Sequence, residues 1–439
     1  MEVEKNFEEE KLELNKKRKS KYRRNNAKLF PIYKVFAWDL LCYYSIEYLF
    51  LTITKGISPS QVLIVTAIYI ISKVLFQIPA VIISEFLGKR KSIIIGNALV
   101  VIHMVLLINA PGFMFIFISQ MISGLGYDIK AICDENLLYD SVATRGGDGL
   151  YTKLETKGGS GYYIADAVLS MMAGYLFIIN NYIPMIVCLI CTIISLVMSF
   201  GFKDIYTNSQ RKKKNIGKFA REYKTNIKAS LKFIKRSNRI KSYILFASVF
   251  YALIRVFDTY KFELLTDIQI GAEQFALIIA SLSLIASISV RHAKKIQKMF
   301  KNKTLTVISL TYIISWITIG AISLKLSNNI IVPIIVMFYI IIKICESQWY
   351  IVKEKYLKNF TKPETREKIT FTFELITALS GGMAALIGAW LLNITDIRHA
   401  IILVALGGLA LIIMVLDYMR TRFGLRPSEY SKEDLKFYM

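Results

Sequence analysis

The sequence is poor in the residues that mark several common classes of protein. Glycine (23) and proline (8) are sparse among the 439 residues, which excludes collagen-like and proline-rich disordered chains. The five cysteines lie inside apolar runs, so they predict no disulfide framework. Three histidines occur, at positions 103, 292 and 399, and no glycine-rich phosphate loop is present. We therefore expect neither an enzyme nor a bound cofactor or metal ion.

Acidic residues are also scarce, with 32 Asp and Glu against 56 Lys and Arg, and the formal net charge is +24. In a soluble chain this excess would suggest a nucleic-acid partner. Here, however, 54% of the residues are hydrophobic, and the apolar residues fall in runs of about 20, the length at which a helix spans a bilayer. We predict an integral membrane protein whose basic loops face an anionic inner leaflet, without a nucleic-acid partner.

Hydropathy along the chain predicts an all-α integral membrane protein with twelve transmembrane helices in two pseudo-symmetric halves of six. The predicted spans lie near residues 31–54, 60–84, 92–110, 112–136, 161–179, 182–202, 242–265, 273–290, 304–325, 330–352, 368–393 and 399–418. The predicted domains are a charged N-terminal tail (1–30), a first six-helix half (31–202), a basic linker (203–241), a second six-helix half (242–418) and a C-terminal tail (419–439).

The distribution of basic residues predicts the orientation. Of the 56 Lys and Arg, 47 lie in alternate segments that would share one side with the N-terminus, so both termini are expected in the cytoplasm.

The N-terminal tail is acidic and then basic with few large apolar residues, and we expect it to be mostly disordered. The linker alternates basic with apolar positions, which predicts an amphipathic helix on the inner leaflet. Lysine (40) far exceeds arginine (16), as is typical of bacterial genes of low GC content, and favours a plasma-membrane location.

Three pairs of positions suggest that the two halves are repeats. Gln61 and Gln274 precede the second span of each half, residues 133–136 and 345–348 end the fourth spans with similar polar sequences, and Gly174 and Gly388 lie late in the fifth. The offsets of 212 to 214 residues are nearly constant. This constancy favours a fold built from parallel repeats.

The short loop at residues 79–91, PAVIISEFLGKRK, combines an acid, a glycine and three bases. Such a tight turn needs a flexible residue, and its charges can pair across helix ends. The loop resembles the cytoplasmic signature of the major facilitator superfamily. The matching positions are Glu85, Gly88, Lys89 and Lys91. Pro79 stands where many members have glycine, and Phe86 replaces a base.

Two further features support this resemblance. Residues 120–126, QMISGLG, are similar to the family's fourth-span motif, with Gln120 in place of an arginine that has been linked to proton coupling. Coupling would therefore rest on other residues. Glycines at 158, 159 and 161, and at 381, 382 and 388, predict close helix packing in the fifth and eleventh spans.

The resemblance implies a central cavity lined by spans one, four, seven and ten, and all four carry charged residues at helical spacing. The candidates for proton coupling are Glu47, Asp39 and Asp128. Glu47 is preferred, because a carboxyl buried without a partner is disposed to carry a proton. The substrate-cavity candidates are Tyr43, Lys73, Tyr127, Lys130, Tyr251, Arg255, Asp258, Lys343, Glu346, Trp349 and Tyr350. The cytoplasmic-gate candidates are Glu85, Gly88, Lys89, Arg90, Asp134 and Glu135.

Several candidates have a purely structural alternative. Arg255 with Asp258, and Lys343 with Glu346, are spaced to neutralise each other at i and i+3. Lys73 is predicted at the same depth as Asp39 and Asp128, which would compensate their charges. Trp349 fits helix packing better than substrate stacking.

The implied function is secondary active transport of a small organic solute by alternating access, by a monomer with the proton as coupling ion. Acidic and aromatic cavity residues favour proton-coupled efflux of a drug or an amphipathic cation, and the loop at 79–91 is also similar to that of clostridial-type tetracycline exporters. The alternative is proton-coupled uptake of an anionic or neutral nutrient, which the basic cavity residues suit. A non-transporting receptor on the same scaffold is the third hypothesis.

Overall fold

The computed structural model describes residues 2–142, 147–205, 225, 228–229, 231–300, 303–325, 328–359 and 363–423, and the described residues form helices joined by short turns. The chain divides into two compact units. Unit 1 comprises Met1–Ile46 and Leu75–Phe219, and unit 2 comprises Glu47–Val74 and Ala220–Met439. The helix Pro59–Leu87 contributes its first part to unit 2 and its second part to unit 1.

Unit 1 contains the following helices, numbered along the whole chain: α1 (Glu2–Ala37), the start of α2 (Tyr43–Leu49), the second part of α3 (Pro59–Leu87), α4 (Lys89–Ile108), α5 (Phe113–Val142), α6 (Gly147–Ile179) and α7 (Ile183–Ser199). In its core, the rings of Tyr33 and Phe202 meet edge to face at 4.9 Å. Leu137 and Ile129 of α5 belong to the same buried cluster.

Unit 2 contains the rest of α2, a π-helical turn (Phe50–Thr54), the first part of α3, α8 (Asn238–Asp267), α9 (Ala272–Arg291), α10 (Ala293–Phe300), α11 (Thr304–Ser323), α12 (Asn328–Asn359), α13 (Pro363–Ile394) and α14 (Ile397–Phe423). The helix α8 begins after Ser237, whose hydroxyl accepts a hydrogen bond from the Ile240 amide at 3.4 Å. Its aromatic side chains build the core. Phe257 stacks on Trp316 at 4.4 Å, and Phe250 meets Trp349 edge to face at 5.1 Å.

Eleven of the twelve predicted spans each fall on a single helix, and the first is interrupted at residues 38–42, so the all-helical membrane fold is confirmed. Within the described residues, nine helices are long and apolar enough to cross a membrane. The other three predicted spans are not among these nine helices, and each has a physical reason. The first is interrupted, α5 carries Gln120, Asp128 and Lys130 along its 30 residues, and α7 has 17 residues.

The prediction that the N-terminal tail is disordered is wrong, because α1 is continuous from Glu2. The tail is rich in Glu, Lys and Arg, which are strong helix formers, and opposite charges stand four residues apart at Lys5 and Glu9 and at Glu13 and Lys17. The predicted amphipathic linker lies mostly outside the described residues. Within it, residues 231–236 are helical and Ile234 is buried.

Glycines let the helices of each unit approach closely, as the sequence predicts. A Cβ on Gly159 of α6 would lie 2.1 Å from the Trp38 ring, and one on Gly161 would lie 2.7 Å from Val35. In unit 2, a Cβ on Gly381 would lie 2.7 Å from the Tyr251 ring. Real Cβ atoms do not approach this closely, so these contacts require glycine.

Candidate functional site

A network of charged side chains lies along α8 in unit 2. Asp258 has the ammonium of Lys261 at 3.4 Å and a guanidinium nitrogen of Arg255 at 3.7 Å. Lys261 is nearly buried, whereas the Arg255 and Asp258 side chains are each 29% exposed. The sequence therefore correctly pairs Arg255 with Asp258, and the structure adds Lys261 as a second base on the same carboxylate.

The α12 side chains extend this network. Lys343 donates a hydrogen bond of 3.2 Å to Glu346, and its charge also acts on Asp258. The Glu346 side chain is 5% exposed and that of Lys343 is 30% exposed. Three bases thus surround two carboxylates, which leaves one positive charge uncompensated within this set. We call these residues the basic cluster: Arg255, Asp258, Lys261, Lys343 and Glu346.

Arg255 keeps donors that the basic cluster does not use. Its Nε is buried without an acceptor among the described residues, and Asp258 at 3.7 Å is beyond hydrogen-bond distance. One terminal nitrogen donates to the Tyr350 hydroxyl at 3.3 Å, and the guanidinium also hydrogen-bonds Tyr251, whose ring centre lies 4.9 Å away. Because a guanidinium offers five donors in a planar fork, Arg255 retains capacity for an anionic ligand.

The three predicted aromatic candidates of unit 2 have different environments. Tyr350 is 40% exposed and Tyr251 is half-buried, so both border the accessible side of Arg255. Trp349 is fully buried and meets the rings of Phe246 and Phe250 edge to face. Its ring is therefore part of the helix packing.

A second charged group lies in unit 1. Lys130 is 4% exposed, its ammonium lies 4.7 Å from the centre of the Tyr127 ring, and the charges of Asp134 and Asp39 act on it. Asp166 lies within electrostatic reach of Asp39. We call these residues the acidic cluster: Asp39, Lys130, Asp134 and Asp166. This set contains three carboxylates and one base, and two of the carboxylates, Asp39 and Asp134, act on Lys130.

Asp134 is held by neutral residues that sequence reasoning missed. The buried Tyr33 hydroxyl donates to both its carboxylate oxygens at 3.2 Å and accepts from the Asn97 amide at 2.8 Å. Asn97 in turn accepts from the Ser195 hydroxyl at 3.0 Å. Asn97 stands in the middle of an apolar span, and this could have indicated the network, because a buried amide requires hydrogen-bond partners.

Asp39 lies where the first span is interrupted, at residues 38–42 between α1 and α2. Its carboxylate accepts from the Leu40 amide at 2.8 Å and from the Tyr44 hydroxyl at 3.0 Å. Asp166 of α6 accepts from the Cys42 amide at 2.9 Å, and Cys42 has a positive φ of 54°. Carboxylates thus satisfy amides that a continuous helix would have paired internally.

The remaining cavity and proton-coupling candidates are placed as follows. Tyr43 is buried, and its hydroxyl accepts from Gln120 at 3.4 Å. Asp128 is buried and Glu47 is half-buried. Lys73 belongs to unit 2 and lies 5.7 Å from the centre of the Tyr69 ring. Proton coupling by Glu47, Asp39 or Asp128 stays a prediction.

At the predicted cytoplasmic gate, Gly88 has a φ of 89°, which L residues rarely adopt, so the tight turn requires glycine. Lys89 donates to Asp140 at 2.5 Å, whereas Asp134 binds Tyr33. The Arg90 amide donates to Asp204 at 3.1 Å. The side chains of Glu85 and Glu135 lie outside the described part of the structure.

Sequence reasoning also missed Glu263, an acid near the C-terminal end of α8. The buried Tyr48 hydroxyl donates a hydrogen bond to its Oε2 atom. Both residues belong to unit 2. An acid inside an apolar span was the available signal, but its partner lies 215 positions away in sequence.

The family model described as Major Facilitator Superfamily matches residues 35–347. The fold is similar to the crystal structure of the nucleoside transporter NupG, with a TM-score of 0.70, 10% identity, and coverage of 92% of this chain and 100% of that one.

Two further solved structures are similar. For a POT family transporter in complex with 5-aminolevulinic acid, the TM-score is 0.65 at 13% identity, covering 91% of this chain and 95% of that one. For a D-xylose-proton symporter, the TM-score is 0.63 at 12% identity, covering 94% and 98%. No curated protein matches the sequence significantly. At these identities the structural matches show the fold alone.

Proposed function

Because this chain belongs to the major facilitator superfamily, we propose that it is a proton-coupled transporter of a small organic solute that carries an anionic group such as a carboxylate. The family establishes a multi-pass secondary transporter of small solutes, and its members are generally not enzymes. The charge of the solute and the identity of the coupling ion go beyond what the family establishes, and both are proposed here from the site.

One observation carries the proposal: the unused donors of Arg255. The guanidinium gives Tyr350 a hydrogen bond, while its Nε is buried without an acceptor among the described residues. An unsatisfied buried donor costs about 1 to 3 kcal/mol, and a carboxylate oxygen would satisfy it. Arg and carboxylate also form the bidentate pair that gives both affinity and orientation.

The charge of the basic cluster supports the same solute. Bringing an anion to three bases and two carboxylates makes this set neutral, whereas a cation would increase its excess charge. Lys343, at 30% exposure, is accessible for a second contact.

The second candidate function is export of a drug or an amphipathic cation by proton antiport. The acidic cluster of unit 1 supports it, because its three carboxylates exceed its single lysine. The aromatic rings of Tyr43 and Tyr127 beside this cluster suit a cation as well.

The proposed location is the plasma membrane with both termini in the cytoplasm, and the proposed state is a monomer. The basic segments that share one side with the N-terminus support this orientation.

The test is solute-driven proton movement in lipid vesicles that contain the purified chain and a pH-sensitive dye. The solutes are short organic carboxylates, sugars, cationic amphiphiles and tetracycline-like drugs. We expect carboxylates to drive proton flux, and Arg255→Gln to lower that flux at least about tenfold, because the bidentate contact is lost.

Arg398→Gln is the matched control, since Arg398 is also ion-paired, to Asp267 at 2.7 Å, and is similarly exposed but lies outside the basic cluster. The proton flux of the Arg398→Gln variant should stay within about twofold of the flux of the unaltered protein. Flux with cationic amphiphiles but not carboxylates would instead favour the second candidate. The absence of proton flux for every solute would contradict proton coupling.

A further inference from the structure

We propose that Glu263 is the carboxyl that takes up and releases the coupling proton, and that Tyr48 is the residue that positions it. This inference rests on the proposed proton coupling and names a residue for it. In each cycle a proton from water binds a Glu263 carboxylate oxygen and later leaves from it, and no other covalent bond changes.

The geometry places Glu263 where it is both held and accessible. Tyr48, which is 2% exposed, donates its hydroxyl hydrogen to Glu263 Oε2. Glu263 itself is half-buried. It lies four residues from the end of α8, which is about 6 Å along the helix axis. A proton can therefore reach this carboxyl from that end of the helix.

Glu263 differs from other acids of unit 2 in having a neutral partner. Asp258, Glu346 and Asp267 each lie within 4 Å of a basic group. Among the described residues no such base lies within that distance of Glu263, whose partner is a phenol. A charge inside a span is costly unless it is paired, and a neutral acid avoids that cost.

The surrounding charged groups do not replace the missing base. Asp267, one turn further along α8, is an acid and is itself bound by Arg398 at the start of α14. Lys261 is directed to Asp258 at 3.4 Å. Neither Arg398 nor Lys261 lies within ion-pair distance of Glu263.

The Tyr48 hydroxyl suits both protonation states of Glu263. It donates to the carboxylate when Glu263 is charged, and to the remaining carbonyl oxygen when Glu263 is protonated. The hydrogen bond therefore keeps the carboxyl in place while the proton exchanges. The same role is not available to a lysine or arginine partner, which would favour the charged state.

The experiment is infrared difference spectroscopy of the full chain in lipid nanodiscs, titrated between acidic and alkaline pH in the absence of solute. A protonated carboxyl gives a C=O stretching band that disappears on deprotonation. We expect Glu263→Gln to abolish one such band, Tyr48→Phe to shift its frequency and midpoint, and Asp267→Asn and Glu47→Gln to keep it.

Retention of every band in Glu263→Gln would overturn the proposal, as would loss of the band in Glu47→Gln instead. Thermal unfolding of each variant checks that it is folded. If Glu263→Gln does not fold, Tyr48→Phe provides the test. A band with unchanged frequency and midpoint in Tyr48→Phe would contradict the proposal that Tyr48 positions the titrating carboxyl of Glu263.

Vesicle transport separates this proposal from the proposed function. For a solute that drives proton flux, Glu263→Gln should lower proton-driven accumulation at least about tenfold while solute exchange stays within about twofold. Proton flux that survives this substitution overturns the role of Glu263 and leaves proton coupling intact. A Glu263 band without proton flux for any solute overturns the coupling role although the group titrates.

Discussion

The two units use the same means of packing, but the charged clusters inside them have opposite excess charge. In both, glycines bring helices together, at Gly159 in unit 1 and Gly381 in unit 2. The acidic cluster of unit 1 contains three carboxylates and one base, Lys130, whereas the basic cluster of unit 2 contains three bases and two carboxylates. Helix packing therefore does not dictate the excess charge of the cluster inside each unit.

Lys130 of the acidic cluster also differs in burial from two bases of the basic cluster, Arg255 and Lys343. Lys130 is 4% exposed, while the Arg255 and Lys343 side chains are 29% and 30% exposed. Removing a buried ion leaves its partner charges buried without compensation, whereas an accessible ion can also bind a ligand. This difference is why we assign solute recognition to the basic cluster.

The largest expected effect on stability is that of Lys130→Gln. Removing this buried ammonium leaves Asp39 and Asp134 without its charge, so we expect a loss of about 3 kcal/mol in the free energy of unfolding. The matched change Lys343→Gln should cost about 1 kcal/mol, because solvent screens that side chain. Thermal unfolding followed by tryptophan fluorescence measures both. Equal losses would remove the distinction between the clusters.

Gly159→Ala tests the packing that the units share. The new Cβ would lie 2.1 Å from the Trp38 ring, so the α1 and α6 contact must open, at a cost of about 2 kcal/mol. Gly407→Ala in α14 is the control, since a Cβ there meets no atom within 4 Å. Similar melting temperatures for the two variants would show that this contact does not depend on glycine.

Asn97→Ala probes the neutral residues behind the acidic cluster. It removes partners of Tyr33 and Ser195, and a buried unsatisfied group costs about 1 to 2 kcal/mol. Ser309→Ala in α11 is a milder control, because that hydroxyl bonds carbonyls of its own helix. A loss no larger than that of the control would mean that Asn97 does not support Asp134.

The smallest expected effect is that of Asp396→Ala, at the start of α14. Burial raises the pKa of Asp396, but hydrogen bonds from His399 outweigh it and hold that pKa below its usual value. The carboxylate therefore stabilises the helix at neutral pH, and this contribution falls as the pH drops through the lowered pKa. Because the site is exposed, we expect about 0.5 kcal/mol at pH 7 and less at acidic pH. A loss that grows on acidification would contradict this sign.

The sequence predicts the helices well because apolar runs of about 20 residues can satisfy their backbone in lipid only as helices. It does not reveal the interruption at residues 38–42, where the Cys42 amide binds Asp166, 124 positions away. Tyr48 and Glu263 were missed for the same reason, since their contact depends on how distant helices pack. The pairing of Arg255 with Asp258 was predictable, because both lie on one helix at i and i+3.

The most direct test of solute recognition compares a carboxylate with the amine of the same carbon skeleton as ligands in thermal unfolding. We expect the carboxylate to raise the melting temperature of the unaltered protein and of Arg398→Gln, but not of Arg255→Gln, and the amine to have no effect. Stabilisation by the amine and not by the carboxylate would contradict recognition of an anionic solute by Arg255.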